Sequence, residues 1–315
     1  MSGKGARLRK LKAAAIGTSI ARRVFNPRHL LHAIRLHRTR KRSKRAFDDA
    51  QLALLAEILP GGFLHYGYFD DPDRQPEDIS LNELLAAQRR YAELLIEHAQ
   101  DTTAPVLDIG CGMGGLSAML LDRGFSPTAL TPDRLQARHI QATWPAIPVI
   151  QSKFEDLTDP ASHAGRYGTV FTSESLQYLK LDRALPLLRD ILAPGGRWIA
   201  CDYFRISQAA EKSGHQWEEF RARIQADGWT IAYERDITPH ILPTLCYIHM
   251  WGSRFGVPLL KFVLLKLQAK QPGLHYILQD AFTQLDGVIE DNLQVINPDT
   301  FAKQKRYMLL VMERA

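Results

Sequence analysis

Cysteine is scarce: there are three in 315 residues, Cys111, Cys201 and Cys246, widely spaced and odd in number. Such usage predicts neither a disulfide framework nor a metal site, and it fits a reducing, cytoplasmic setting. His65, His240 and His249 stand without a second clustered ligand, so no metal is expected. Long apolar runs are also missing. No stretch reaches the roughly 18 residues of a spanning helix. The segment AAAIGTSI (13–20) is short and Ala-rich for a signal-peptide core, and Arg22-Arg23 lacks the apolar run of an export signal. The third lack is acid. Residues 1–46 hold 15 Lys or Arg and neither Asp nor Glu, which leaves 25 basic against 34 acidic residues in the remainder. The net charge of +6 therefore hides an acidic body and a basic arm. Such an arm seeks polyanions, either an anionic membrane surface or a nucleic acid. A passive solvated tail and, in a eukaryote, a cleaved mitochondrial presequence stay open beside these readings.

What is present is globular. The hydrophobic and charged fractions, 45% and 23%, are those of an ordinary folded chain long enough for a sizeable core. In the arm, Asn26 and Pro27 predict the start of a helix carrying Leu30, Leu31 and Ile34 on one face. Residues 47–60 read as a helix ended by Pro60-Gly61-Gly62. An aromatic loop follows, FLHYGYFDDPDRQP, and then a long helix over 80–100 opened by a Ser80/Glu83 capping box. Strands are expected at 105–109, 127–131, 147–151, 168–172, 197–202, 228–235 and 305–314. Helices at 116–124, 132–144 and 180–192 alternate with them. This alternation predicts an α/β fold, a Rossmann-like doubly wound and mainly parallel sheet. Helical, apolar sequence over 239–303 predicts a cap inserted before the last strand, over the carboxyl edge where such sheets bind ligands. The expected divisions are the arm 1–46, N-terminal helices and lid 47–102, the sheet domain 103–238 with 304–315, and the cap.

The chemistry centres on VLDIGCGMGG, residues 106–115. A strand delivers Asp108, the chain turns through Gly110, Gly112 and Gly114, and a helix begins whose N-terminal N–H groups suit a polar ligand. Gly110, Gly112 and Gly115 also satisfy a dinucleotide spacing. Two features oppose that reading. Asp108 would repel a pyrophosphate but suits a cation, and the strand ending at Leu130 lacks a ribose-binding acid. Thr131-Pro132-Asp133 reads as cap, first-turn proline and first-turn acid of the next helix.

This segment resembles motif I of the class I S-adenosylmethionine (SAM) dependent methyltransferases. LHYGYFDDP (64–72), ALTPDRLQ (129–136), TSESLQYL (172–179), LAPGGRWIACDYF (192–204) and ERDITPHILPTL (234–245) resemble, in order, segments of the branch acting on small, often lipophilic molecules, such as tocopherols and sterols. The resemblance implies that Asp108, Gly110, Cys111, Gly112 and Gly114 hold the methionine part of SAM. It implies Thr131 at the ribose, Phe154 and Glu155 at the adenine, Glu174 near the amino-acid moiety or the transferred methyl, and Tyr66 closing over the cofactor. Ala129, Arg134 and Lys153 depart from residues common in relatives. Glu174, Tyr178 and His65 are the candidates to take a proton from an O- or C-acceptor or a protonated amine.

The cap segments ILPTLCYIHMW (241–251) and VPLLKFVLLKLQAK (257–270) predict an apolar acceptor, and the arm and residues 257–270 predict contact with an anionic membrane surface. The simpler alternative for 257–270 is a core helix of the cap. A nucleic-acid methyltransferase using the arm is the main rival. It is disfavoured because neither an Asn/Asp-Pro-Pro-Tyr segment nor a suitably placed Pro-Cys nucleophile is present. A non-catalytic SAM-binding protein is the second rival.

Overall fold

The computed structural model describes residues 61–100, 102–207, 213–279 and 293–314, parts of 26–35, and the single positions Phe282, Gly287 and Ile289. The expected helix over 47–60 and most of the basic arm lie outside the described residues. The chain divides into two units, Met1–Asp48 and Asp49–Ala315. In the first, residues 27–29 are helical and Asn26 Oδ1 accepts from the Arg28 N–H at 3.0 Å, the capping expected from sequence.

In the second, the first described helix, α1 (Leu81–Ile96), opens with the expected capping box: Ser80 Oγ accepts from Glu83 N while Glu83 Oε2 accepts from Ser80 N. Strands β1 (Val106–Ile109), β2 (Pro127–Thr131), β3 (Val149–Gln151), β4 (Tyr167–Ser173) and β5 (Leu192–Arg205) alternate with α2 (Gly115–Asp122), α3 (Arg134–Thr143) and α4 (Leu181–Ile191). After α5 (Trp217–Ala226) come β6 (Trp229–Asp236), a helical stretch and β7 (Lys305–Arg314). The seven strands form one sheet in the order β3-β2-β1-β4-β5-β7-β6. Strands β1 to β5 pair in parallel, and β7 runs antiparallel between β5 and β6. This is the class I methyltransferase form of the Rossmann-like sheet. The strand order reverses between β1 and β4, the place where open α/β sheets bind ligands at their carboxyl edge.

Strand alternation divides the core between the two faces of the sheet. Leu107, Ile109, Trp198, Ala200 and Leu310 pack on one side with α4. Val106, Ile199, Cys201, Leu309 and Val311 pack on the other with Tyr91 and Leu95 of α1. Two local expectations are corrected. The Gly-rich turn at 194–196 lies inside β5, not before it. Gly195, at φ +72°, lets the strand bulge, so the β4 partner jumps from Leu192 to Arg197 within two residues. Helix α3 is capped by Asp133, whose carboxylate accepts from Leu135 N and Gln136 N, and not by Thr131.

Between β6 and β7 lie α6 (Thr238–Trp251), a π-helical turn over Gly252–Gly256, α7 (Val257–Lys270), α8 (Pro272–Ile277) and α9 (Pro298–Gln304). No residue of α7 is buried, so the core-helix reading of 257–270 is not what the structure shows.

Trp198 is fully buried, touches Trp229 at a centroid distance of 5.4 Å, and donates its Nε1–H to Thr172 Oγ1 at 2.9 Å. Truncation leaves both a cavity and an orphaned hydroxyl. Trp198→Ala is expected to lower unfolding free energy by about 3–5 kcal/mol, measured by urea denaturation. A loss below 1 kcal/mol would show that the neighbouring rings collapse into the space.

Candidate active site

Asp108 ends β1 and is 1% exposed. Its Oδ2 accepts from the Ser117 hydroxyl at 2.7 Å, which ties the strand end to the first turn of α2. Burial pushes the carboxyl up to about 6, against the pull of the Ser117 bond. Such a group favours a cation beside it.

The glycine turn then folds back over Asp108. Gly110, Gly112 and Gly114 all have left-handed φ values, between 56° and 92°. A Cβ at Gly110 would also meet Ser175 Cβ at 2.3 Å, whereas one at Gly112 would only touch Leu64 at 3.5 Å. Gly110 N and Cys111 N both donate to Leu130 O, and Cys111 is buried. The Gly115 N–H at the start of α2 already donates to Gly62 O at 3.1 Å. A dinucleotide pyrophosphate needs free donors here. It also needs an acid for the ribose at the end of β2, where Leu130 and Thr131 stand; Asp133, two residues on, caps α3 through Oδ1.

Glu174 stands at the end of β4, next to this turn. It adopts φ +50°, a left-handed conformation that costs a non-glycine residue on the order of 1–3 kcal/mol. Its backbone N–H donates to Cys201 O on β5. Its Oε1 accepts from Tyr66 N at 2.9 Å and from the Tyr307 hydroxyl at 2.5 Å. Burial pushes it up to about 7. Tyr307 OH in turn lies 3.1 Å from Tyr91 OH. One carboxylate thereby gathers the aromatic loop, β4 and β7.

His65 is half-buried, stacks on Tyr91 at 4.2 Å and faces the Tyr66 carbonyl with Nδ1 at 2.8 Å. Because a carbonyl can only accept, Nδ1 carries the proton and Nε2 presents a lone pair, which has no partner among the described residues. Burial lowers the imidazole to about 4, so it is neutral at physiological pH and a weak base. Tyr178 is 77% exposed on a short turn, and its phenol is raised above its ordinary value by burial of its inner part and by Asp202 and Glu174. It holds its proton near neutrality. Of the three candidate proton acceptors, Glu174 has the fitting environment.

Other expected contacts lie further from the turn. Thr131 is buried, with its hydroxyl donating to Gln136 Oε1 at 2.5 Å and accepting from Asp133 N. Phe154 packs in the core with Leu130 and Leu176, so little of its ring is left for an adenine. Glu155 accepts from Lys180 N at 2.8 Å at the start of α4. Sequence reading missed Ser117, Ser175, Tyr91, Tyr307 and Asp202. Asp202 follows the Gly-rich segment on β5, is 1% exposed, accepts from Gln177 N and Tyr203 N, and is pushed up to about 8, chiefly by burial. Only the β4–β5 pairing, Ser173 opposite Cys201, brings it beside Glu174.

Two buried carboxyls, an imidazole lone pair and a glycine cradle suit a ligand that is both cationic and a hydrogen-bond donor, as SAM is with its sulfonium and ammonium groups. The fold and this arrangement define a SAM-binding Rossmann-like domain. Residues 82–227 match the family described as a methyltransferase domain. An O-methyltransferase of Pyrenophora dematioidea is 26% identical, over 67% of this chain and 84% of that one. The chloroplastic tocopherol O-methyltransferase of Arabidopsis thaliana is 27% identical over 52% of this chain and 51% of its own length. In fold, the chain matches geranyl diphosphate C-methyltransferase from Streptomyces coelicolor with a TM-score of 0.59 and 16% identity, covering 84% of this chain and 92% of that one. The chain is therefore similar to SAM-dependent methyltransferases of small molecules, in sequence over residues 82–227 and in fold over most of its length.

Two outcomes test the site. Gly110→Ala, which combines strain with a clash, is expected to lower the melting temperature and SAM affinity together. Gly112→Ala, strained by about 1 kcal/mol but with space, keeps the fold. Equal melting temperatures for the two would refute the role given to Ser175. The second test is pH. Glu174 and Asp202 hold protons in the fold up to about 7 and about 8, but release them near 4 when unfolded. Their stabilising protons are lost as pH rises through those values, and His65 is silent above 6.5. Stability of the SAM-free protein should therefore fall from pH 6.5 to 8.5, by at most about 1.4 kcal/mol per pH unit for each retained proton. Asp202→Asn should flatten the upper part. A stability that rises over this range would contradict the assignment.

Proposed function

We propose that the protein transfers the methyl group of SAM to a small lipophilic acceptor, with Glu174 as the proton acceptor. The observation that carries this reading is the placement of Glu174: half-buried, strained, raised towards neutrality and fixed beside the glycine turn. SAM, when bound, supplies an activated methyl on a cationic sulfur. The protein's own work is to hold, orient and exclude water. In this reading Asp108 and the turn through Gly110, Cys111, Gly112 and Gly114 hold the methionine end. The His65 lone pair faces donors in the same pocket, and Tyr66 covers it. Thr131, Phe154 and Glu155 border the ribose and adenine through backbone and edge contacts, given how their side chains are engaged.

Tyr66 and Tyr178 lie near enough to Glu174 and Asp202 for those carboxyls to raise both phenols, and in this reading their rings face the acceptor. Rings with polar tips suit an acceptor that is apolar with one ionisable group. The similarity to a tocopherol O-methyltransferase and, in fold, to a geranyl diphosphate C-methyltransferase favours a lipophilic small molecule over a nucleic acid. An O- or C-acceptor loses a proton to the Glu174 carboxylate as the methyl arrives. We place the reaction in the cytoplasm at a membrane surface, with residues 1–46 adding electrostatic attraction of about 1 kcal/mol for each basic residue near an anionic bilayer.

The test uses SAM labelled in its methyl group, incubated with lipid extract, water-soluble metabolites or nucleic acid. Label should enter the lipid fraction, and Asp108→Ala should abolish it through lost SAM binding. Glu174→Gln should slow transfer about 100-fold or more while SAM is still bound. Label in nucleic acid, or full activity of Glu174→Gln, would overturn the reading.

A further inference from the structure

Ten of the sixteen large hydrophobic side chains exposed among the described residues fall between Ile248 and Leu278. Seven of them, Ile248 to Leu265, lie on the elbow made by the end of α6, the π-helical turn and α7, and Tyr276, Ile277 and Leu278 follow on α8 and just past it. Trp251 and Phe255 stack at 4.4 Å and are 46% and 54% exposed. Phe255, Leu259, Phe262, Val263 and Lys266 follow the i, i+4, i+7, i+8, i+11 spacing of one helical face. A helix that is apolar nearly all round belongs in a core or against a membrane, and α7 is not in the core. At about 21 Å its 14 residues are too short to cross a bilayer core of about 30 Å.

Charge selects among possible occupants. No Asp or Glu occurs between Asp236 and Asp280, while Lys261, Lys266 and Lys270 all lie on α7. Arg254 pairs with Glu77 at 3.0 Å. No ion pair to the three lysines exists among the described residues. A two-fold contact between copies of this chain would set this face against itself, lysine near lysine, with no acid to compensate. An anionic surface compensates all three. Lys266 lies over the Phe262 ring at 5.1 Å, its stem along the apolar surface, as snorkelling lysines do.

We propose that this elbow docks the enzyme on an anionic lipid bilayer, Trp251, Phe255 and Phe262 entering the headgroup boundary and the lysines meeting lipid phosphates. The proposal deepens the membrane-surface reading above and rests on it. It also connects that surface to the site. The helix that ends in the elbow, α6, holds the aromatic loop: Thr244 Oγ1 accepts from Gly67 N at 3.0 Å, and His240 Nδ1 lies 2.7 Å from Phe69 O. Docking therefore bears on the segment that carries His65 and Tyr66, and an acceptor dissolved in the bilayer is presented beside it.

The experiment uses the full chain with phosphatidylcholine vesicles, with and without phosphatidylserine. Wild type should sediment with the anionic vesicles, and Phe255→Glu/Phe262→Glu should bind them at least about tenfold more weakly. Both side chains are half exposed, so circular dichroism and SAM binding should be unchanged. Brominated phosphatidylserine should quench wild-type fluorescence, and Trp251→Phe should remove most of that quenching, since of the five tryptophans only Trp251 is exposed, Trp198 and Trp229 being buried and Trp144 and Trp217 half-buried and away from the elbow in sequence. Undiminished vesicle binding by the double variant would overturn the proposal and assign attachment to residues 1–46. A lipid-free dimer of wild type that the variant dissolves would also overturn it, in favour of a second copy. SAM binding in the same preparation reports on the methyltransferase reading separately.

Discussion

The hydrogen bonds to Glu174 are the constraint on which the site depends. A left-handed glutamate at a strand end is unfavourable alone, and it persists because its surroundings over-determine it. The carboxylate takes one bond from the backbone of the aromatic loop and one from the last strand of the chain. Its own amide is fixed to β5. Segments separated by 108 and 133 positions therefore converge on one oxygen. Strain here is a way to aim a carboxyl out of the sheet edge at a defined angle, at the point where strand order reverses.

The same convergence sets the electrostatics. Three carboxyls, the buried Asp108 and Asp202 and the half-buried Glu174, are all raised by desolvation to between about 6 and about 8. Hydrogen bonds from Ser117, Tyr307 and the Gln177 amide moderate each shift without cancelling it. Near neutral pH the SAM-free fold therefore keeps protons on part of this cluster, and a cationic ligand favours the charged forms. Electrostatic stress of this kind costs stability but favours binding of a cation. It also explains why an acidic residue before the glycine turn separates this site from one for a pyrophosphate.

Much of the fold was legible because strand and helix periods differ and the turns carry their own chemistry. The boundaries of β2, β7 and the Ser80 capping box follow directly from local residues. The glycine turn was legible too, since its φ values admit no other residue cheaply. Gly195 was harder, because a glycine that ends a strand and one that bulges it look alike in sequence. Thr131 reads in sequence as the cap of α3 and Asp133 as its first-turn acid, and only geometry shows that Asp133 reaches the amides. The supporting cast of the site was hidden for a different reason. Tyr91, Tyr307 and Asp202 carry no motif. They matter because α1, β7 and β5 bring them to Glu174, which is a property of topology. Phe154 shows the converse, a residue in a familiar segment whose ring packs inward.

Sheet and cap divide the information in this chain. The parallel half of the sheet carries what the proposed SAM site needs: the glycine turn behind Asp108 and a carboxyl, Glu174, at the switch point. These demands are strict, so few residues satisfy them and they can be read from a single sequence. The insertion between β6 and β7 is under weaker geometric demand. It must only bury or expose apolar surface in the right place, and many sequences can do that. Its apolar, acid-free composition gave a direction, but the decisive fact is that α7 buries none of its residues. A helix whose sequence fits a core and whose surface faces outward needs another apolar phase, and its lysines specify the sign of that phase's charge.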